Sequence, residues 1–324
     1  ANSEIRGACS GQDAADRLGF NEEETRKQLI DIQLAKAGWP VSDDEVVVVE
    51  RPVEHQPTQT GTGYIDYASK HRESGKILAV VEAKRCSKDP ADGKAQAKLY
   101  ADGIEKETGA RPVIFYTNGY ETWLWEDHAN SQSPPRKVHG FYSQQSLEYL
   151  IWRRAEAAAL SSITPDQKIL GDRDYQYESL SAICGAFDQG RRKALAVQAT
   201  GTGKTRLAVA LTDVVLKANA GRRILFMCDR RELRKQAKNA FDAFLSAPST
   251  FLSKDSLGEL SNQLYFATYP AMAKIYKQLD PGFFDLIIAD ESHRSIYNVY
   301  GDLFRYFDGL QLGLTATPVE MVSR

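Results

Sequence analysis

The rhythm of apolar and polar positions divides the chain into two halves. In the first, Leu29, Ile30, Leu34 and Ala37 recur at helical spacing, with Asn21 placed to cap the helix and Gly38 and Pro40 to end it. Strand-like runs follow at 45–50 (EVVVVE), 63–69 (GYIDYAS) and in KILAVVEAK, where Ile77 to Val81 are apolar without a break. A helix over roughly 92–107 precedes RPVIFYTNGYETWLWED, two strands joined by a turn at Asn118-Gly119. Helix, three strands, helix and two strands predict one compact α/β unit. The segment SQSPPRKV at 131–138 reads as a loop, and 147–160 as a connecting helix.

From Arg173 onward strands and helices interleave: helix, KALAVQ, a glycine loop, helix, RRILFMCD, helix, QLYFAT, FDLIIAD and LQLGLT. That order predicts a parallel sheet covered by helices. The expected organisation is a first domain over 1–150, a helical linker over 151–170 and a second α/β domain over 171–324. The chain stops at Arg324 just after LTATP, which reads as a fragment of something longer.

Composition adds little to this picture. A formal charge of -2 leaves nucleic-acid contact to local patches rather than a global field. Cys9, Cys86, Cys184 and Cys228 form no C-x-x-C pair, and the five histidines show no ligand spacing, so structural zinc and a disulfide framework are not expected. The N-terminus lacks a signal-peptide pattern and no apolar run reaches membrane-spanning length, which fits a reducing cytoplasm.

The third strand poses a chemical question, because it ends in Glu82 and Lys84, which alternation puts on one face. Asp66 stands 16 residues earlier on the preceding strand, a hairpin separation. Asp66 and Glu82 could bracket one Mg²⁺ while Lys84 orients a water or stabilises developing charge, the chemistry that phosphodiester hydrolysis needs. The structural alternative is a surface ion pair between Glu82 and Lys84 with no function. Gln96 and Tyr100, four apart, share one face of the following helix, where a partly buried tyrosine is the ordinary reading. Glu24, three residues after Asn21, is explained by a capping box without any metal.

In the second half, AVQATGTGKTRLAVAL places a glycine-rich turn between a strand and a helix, where backbone N–H groups can surround a phosphate. Thr200, Gly201, Thr202 and Gly203 would form the loop, Lys204 reach the β and γ phosphates, and Thr205 hold Mg²⁺. The general pattern wants glycine where Gln198 stands. About 85 residues later Asp290 and Glu291 follow an apolar strand, one to hold Mg²⁺ through water and the other to activate the attacking water.

These motifs resemble the superfamily-two helicases and translocases, whose motor has a RecA-like ATPase core. ATGTGKT is similar to their motif I, DESH to motif II and LTATP to motif III, over roughly residues 170 to 320. The resemblance of RDYQYES to the adenine-reading element implies that Gln176 binds the base edge with Tyr175 nearby. FMCDRRELRKQA and FATYP resemble the motifs that touch the DNA backbone, which implies roles for Arg230 and Thr268. A second RecA-like domain supplies arginines in that family, and its absence here implies weak ATP binding and scarcely any hydrolysis by the fragment.

The first half resembles the PD-(D/E)xK nuclease fold in its RecB-like branch, over roughly residues 20 to 130, with Ile65 where a proline is frequent. That implies a restriction-endonuclease-like α/β domain in which Asp66 and Glu82 are metal ligands, Lys84 the catalytic lysine, Gln96 and Tyr100 substrate-positioning residues, and Glu24 an extra acid. A nuclease of this kind followed by a superfamily-two motor resembles the restriction (R) subunit of type I restriction-modification enzymes. The resemblance implies ATP and Mg²⁺ as cofactors, double-stranded DNA as substrate, and methyltransferase and specificity subunits as partners. Two alternatives stay open: a single-polypeptide restriction enzyme or other phage-defence translocase, and a nucleotide-switched DNA-binding module with a degenerate nuclease fold.

Overall fold

The structure is a computed structural model that describes residues 20–128, 133–258, 260–291 and 294–316, without the side chains of 294–298. It divides into two compact units, Ala1–Ala155 and Glu156–Arg324.

The first unit begins with helix α1, which runs through Glu22–Thr25, a widened π-type turn at Arg26–Ile30, and Asp31–Lys36. Its start is a capping box, with Asn21 Oδ1 accepting from Glu24 N and Glu24 Oε2 accepting from Asn21 N, each at 2.9 Å. Gly38, at φ +88, turns the chain out of the helix. Strands β1 (Val47–Val53), β2 (Gly63–Lys70), β3 (Ile77–Ala83), β4 (Val113–Thr117), β5 (Thr122–Trp125) and β6 (Arg136–Val138) then form one sheet in chain order. Every pairing is antiparallel except β3 with β4. A parallel pair needs a crossover, which helix α2 (Lys94–Thr108) provides after a 3₁₀ turn at Pro90–Gly93.

Both faces of this sheet are covered. Ile30 and Leu34 of α1 and Leu147 and Leu150 of helix α3 (Gln144–Glu156) pack with Tyr67, Val81 and Phe115. On the opposite face Ala97, Ala101 and Ile104 of α2 pack with Ile65 and Val80. All seven residues of β3 are buried, so this central strand is apolar on both sides, as its composition predicts.

The second unit holds a RecA-like sheet of six parallel strands in the order β7-β12-β11-β8-β10-β9. The strands are β7 (Lys193–Val197), β8 (Ile224–Cys228), β9 (Ser249–Phe251), β10 (Leu264–Thr268), β11 (Leu286–Ala289) and β12 (Leu310–Thr315). The helices are α4 (Gln167–Leu170), α5 (Asp174–Asp188), α6 (Lys204–Lys217), α7 (Arg231–Asp242), α8 (Tyr269–Ala273) and α9 (Arg294–Tyr306). One core lies under α6, where Leu207, Leu211 and Val214 meet Phe226, Phe241 and Phe266. The other gathers Tyr265, Tyr269, Phe284, Leu303 and Phe304.

Three sequence expectations need correction. The loop expected at 131–138 contains β6, whose Lys137 and Val138 pair with Trp123 and Thr122; residues 129–132 lie outside the description. The connecting helix expected at 147–160 runs instead over Gln144–Glu156, with Leu147 and Leu150 in the first core. The helical linker expected over 151–170 is likewise not free, since Leu160, Ile169 and Leu170 are buried in the second unit. Strand β9 and helix α9 were not foreseen. Of DESH and LTATP, Ser292, His293, Thr317 and Pro318 lie outside the described residues, as does Cys9. Cys86, Cys184 and Cys228 are buried. No helix among the described residues is long and apolar enough to cross a membrane.

Candidate active sites

The antiparallel β2–β3 ladder ends at Tyr67 with Val81, and Asp66 and Glu82 are the next residues along the two strands, close enough for their charges to interact. Lys84 follows β3 with the same facing as Glu82, and its Nζ donates to Glu82 Oε1 at 2.6 Å and to Gln96 Oε1 at 3.2 Å. Gln96 Nε2 donates in turn to the Tyr100 hydroxyl at 2.6 Å. Glu82, Lys84, Gln96 and Tyr100 therefore form one hydrogen-bonded chain against the α2 face of the sheet, and the charge of Asp66 acts on Glu82 beside it. It is not a surface ion pair, because Glu82 is only 2% exposed.

Burial sets the electrostatics. It pushes the Glu82 carboxyl up to about 7, with the charge of Asp66 adding to the rise and Lys84 opposing it. Burial also raises Asp66, against the Ala83 N–H that donates to its Oδ2 at 2.7 Å and the charge of Arg26. For Lys84 burial acts to lower the pKa, yet the bond to Glu82 and its charge outweigh this and the net shift is upward. Glu82 Oε2 is buried without a hydrogen-bond partner. Two neighbouring carboxylates, one with an unused oxygen, suit Mg²⁺, which takes one or two carboxylates and keeps several waters. Among the described residues no group of three or more His, Cys, Asp and Glu side chains is arranged to hold a metal, so these two acids are the protein's offer.

The extra acid is a correction. The Glu24 carboxylate is engaged in the capping box, whereas Glu22 is the α1 acid whose charge reaches Asp66, Glu82 and Lys84. One turn on, Arg26 places Nη1 3.5 Å from Asp66 Oδ1. Spacing of i, i+4 on the predicted helix was the signal that could have found both residues. Gly93, which precedes α2, was also missed: a Cβ there would lie 2.8 Å from Glu82 Cγ and 3.3 Å from Lys84 Cε.

In the second unit the glycine loop joins β7 to α6, with Gly201 at φ +83 and Gly203 at φ +95. Both are left-handed conformations that let the backbone wrap closely. Thr200, Gly201, Thr202, Gly203, Lys204 and Thr205 all lie in this loop or the first turn of α6. Lys204 Nζ donates to Gln198 O at 3.4 Å. Thr202 Oγ1 donates to Ala199 O at 2.7 Å, so this hydroxyl braces the loop. Gln176, the residue expected at the base edge, lies against the glycine loop. It is fully buried, its Nε2 donates to Thr202 O and Gly203 O at 2.9 Å each, and a Cβ on Gly203 would meet that nitrogen at 2.6 Å. The amide nitrogen thus props the loop, while Oε1 is buried without a hydrogen-bond partner. Tyr175 joins it, donating its hydroxyl to Thr202 O at 2.7 Å.

The acids emerge after β11, two strands from β7 at the same carboxyl edge of the sheet, where ligands bind in parallel α/β folds. Burial and the charge of Glu291 raise the Asp290 carboxyl, while Lys204 pulls it back, so the loop lysine and this acid sense each other. Glu291 has φ +53, unusual for a side-chain-bearing residue. The turn is held by Tyr269, fully buried, whose hydroxyl donates to Asp290 O at 2.7 Å and whose ring stacks on Tyr300 at 5.4 Å. Of the two residues expected at DNA, Arg230 is exposed at the start of α7 with Asp229 3.8 Å away, whereas Thr268 is buried and caps α8.

Residues 169–320, which lie in the second unit, match the family described as type III restriction enzyme, res subunit. The chain is similar to the endonuclease subunit of the type I restriction enzyme EcoAI from Escherichia coli, 31% identical over 77% of this chain and 32% of the relative. It is also similar to the EcoKI endonuclease subunit of E. coli strain K12, 28% identical over 93% of this chain and 33% of the relative. The chain thus spans about a third of the length of these curated relatives. A solved fragment assigned as an HsdR subunit of a type I restriction enzyme from Vibrio vulnificus YJ016 aligns over 94% of this chain and 57% of its own, at 24% identity and a TM-score of 0.40.

Two outcomes follow from the geometry of the first unit. A carboxyl whose folded-state pKa is raised takes up a proton on folding, so stability should fall as pH rises from 4.5 through about 7. Glu82→Gln should remove that slope. Its stability relative to the parent should grow by up to about 3 kcal/mol across the window, read from urea melts at pH 5 and 8. Gly93→Ala should cost about 1–3 kcal/mol by crowding Glu82, although φ -86 at this position is one alanine adopts freely. A melt equal to the parent's would show that the close approach is slack.

Proposed function

We propose that the chain is the nuclease-and-motor portion of a type I restriction enzyme's endonuclease (R) subunit. It would use ATP to move along double-stranded DNA and cut that DNA with Mg²⁺, in the cytoplasm, beside methyltransferase and specificity subunits. The observation that carries this reading is the hydrogen-bonded chain Glu82–Lys84–Gln96–Tyr100, with the Asp66 charge acting on Glu82, in the unit that precedes a restriction-type ATPase domain.

In the first unit Asp66 and Glu82 would hold Mg²⁺, which supplies positive charge to offset that building on a scissile phosphate. Glu82 holds Lys84 by hydrogen bond, and Gln96 holds it from the other side, so the ammonium is aimed before substrate arrives. From there Lys84 can orient the attacking water or meet developing charge on phosphate oxygen. Tyr100 fixes Gln96 and thereby the lysine's second contact.

In the second unit Thr205 and Asp290 would hold the Mg²⁺ that accompanies ATP, and Lys204 would leave its contact with Gln198 O for the β and γ phosphates. Glu291 stands next to Asp290 as the residue to activate water. Gln176 and Tyr175 brace the loop that carries the phosphates, so their contribution is to loop shape.

In the complete multisubunit enzyme, Asp66→Ala and Lys84→Ala should each lower DNA cleavage by roughly 10²-fold or more while ATP turnover stays near the parent value. Normal cutting by either variant would instead favour a first unit that only holds DNA. Lys204→Ala should abolish ATP binding in isothermal titration with Mg²⁺ present, because no other residue of the loop carries a positive charge; retained binding would contradict the phosphate-loop assignment.

A further inference from the structure

We propose that Arg26 is a built-in counter-ion that competes with a divalent cation for Asp66 and so sets the cation affinity of the Asp66–Glu82 pocket. This rests on the metal-pocket reading above. Asp66 has two oxygens: Oδ2 accepts from Ala83 N at 2.7 Å, and Oδ1 lies 3.5 Å from Arg26 Nη1. The guanidinium therefore stands at the oxygen that the backbone leaves for a cation. Both side chains are mostly buried, 17% exposed for Arg26 and 16% for Asp66, so solvent screens their attraction only partly.

The surroundings hold Arg26 in that place from several directions. Its Nε donates to the Tyr67 hydroxyl at 3.3 Å and its guanidinium carbon lies 5.0 Å from the centre of the Tyr67 ring. Tyr67 gives its own proton to Asp31 Oδ1 at 2.6 Å, which leaves the phenol oxygen free to accept from Arg26. Glu50 Oε1 is 3.3 Å from Arg26 Nη1. Glu50 is a non-glycine residue at φ +51 in the middle of β1, and the β1–β2 register puts it opposite Asp66. Backbone strain of this kind persists only where neighbours over-determine it, and here it falls across from the candidate ligand. Arg26 also opens the π-type turn of α1, a distortion that recurs at functional sites.

Arg26 has somewhere to go. Glu22, Glu23, Arg26, Asp31, Glu50 and Tyr67 line one open cavity, so a guanidinium displaced from Asp66 keeps acidic partners within its sweep. Removing a cation 3.5 Å from Asp66 Oδ1 frees that oxygen and its charge, so the gain in cation binding measures the competition.

The test is Mn²⁺ and Mg²⁺ binding by isothermal titration to the chain, to Arg26→Gln and to Arg26→Lys. Arg26→Gln should bind the cation about tenfold more tightly, and Arg26→Lys, which keeps the charge, should stay near the parent. Unchanged or weaker binding by a folded Arg26→Gln overturns the role of Arg26 but leaves the pocket intact. No binding to the parent chain overturns the pocket and this role together. Should Arg26→Gln fail to fold, the side-chain Nε–H resonance of Arg26 in the parent decides: it should shift on saturation with Mg²⁺ and stay fixed in Asp66→Asn. A resonance that ignores bound Mg²⁺ removes the proposal.

Discussion

Two like charges held close together at the end of a β-ladder are the constraint around which the first unit is built. Strand register alone brings Asp66 next to Glu82, and a slip of one residue would send one of them to the other face of the sheet. The arrangement is costly, because both carboxylates lie at the buried end of a central strand pair and each is pushed toward its protonated form. The neighbouring elements reduce that cost by different means. The Ala83 N–H serves Asp66 from the backbone, α2 brings Gln96 to steady Lys84, α1 supplies Arg26, and Gly93 withholds a side chain where one would collide with Glu82.

This accounts for what could be read from the chain and what could not. Alternation along GYIDYAS and KILAVVEAK, with the hairpin separation, was enough to bring Asp66, Glu82 and Lys84 together, since a period of two leaves no freedom of facing. The i, i+4 spacing of Gln96 and Tyr100 was enough for the same reason. Glu24 misled because its position satisfies a capping rule and a motif rule at once, and the cap took the carboxylate. Arg26 and Glu22 carried no motif, and the widened turn that begins at Arg26 leaves no mark in apolar periodicity. Strand β6 escaped because three residues beside two prolines hold no period of their own, and its existence depends on the β5 edge it joins. Strand β9, also three residues long, escaped likewise. Loop geometry hid the role of Gln176: the sequence places an amide near the nucleotide motif, but only the fold shows it turned onto the loop carbonyls.

The second unit shows a different solution to the same physical difficulty. A parallel sheet collects its strand ends on one edge, which brings Lys204 and Asp290 into electrostatic contact although they are far apart in sequence. The turn that delivers the acids is strained at Glu291, and the strain is opposed by a hydroxyl from a neighbouring strand exit, Tyr269 to Asp290 O. Tyr269 directly follows Thr268, which caps the short helix α8. One side chain thus ties the acid turn to the segment that resembles a DNA-contacting motif. Any rearrangement at Asp290 must either carry Tyr269 with it or break the hydrogen bond from its hydroxyl.

Both sites therefore share one design rule: the groups that would meet a ligand are already held by partners inside the chain. Lys84 is bonded to Glu82, Asp66 is paired with Arg26, and Lys204 is bonded to Gln198 O. Binding then becomes an exchange of partners rather than the capture of bare charge, so affinity depends on how easily the internal partner leaves. In the first unit the leaving group is a whole cation, Arg26, with other acids nearby to receive it. In the second it is a single long hydrogen bond from Lys204 to a carbonyl, which is far cheaper to break. The Asp66–Arg26 pair is thus the harder of these two contacts to break, and the bond from Lys204 to Gln198 O the easier.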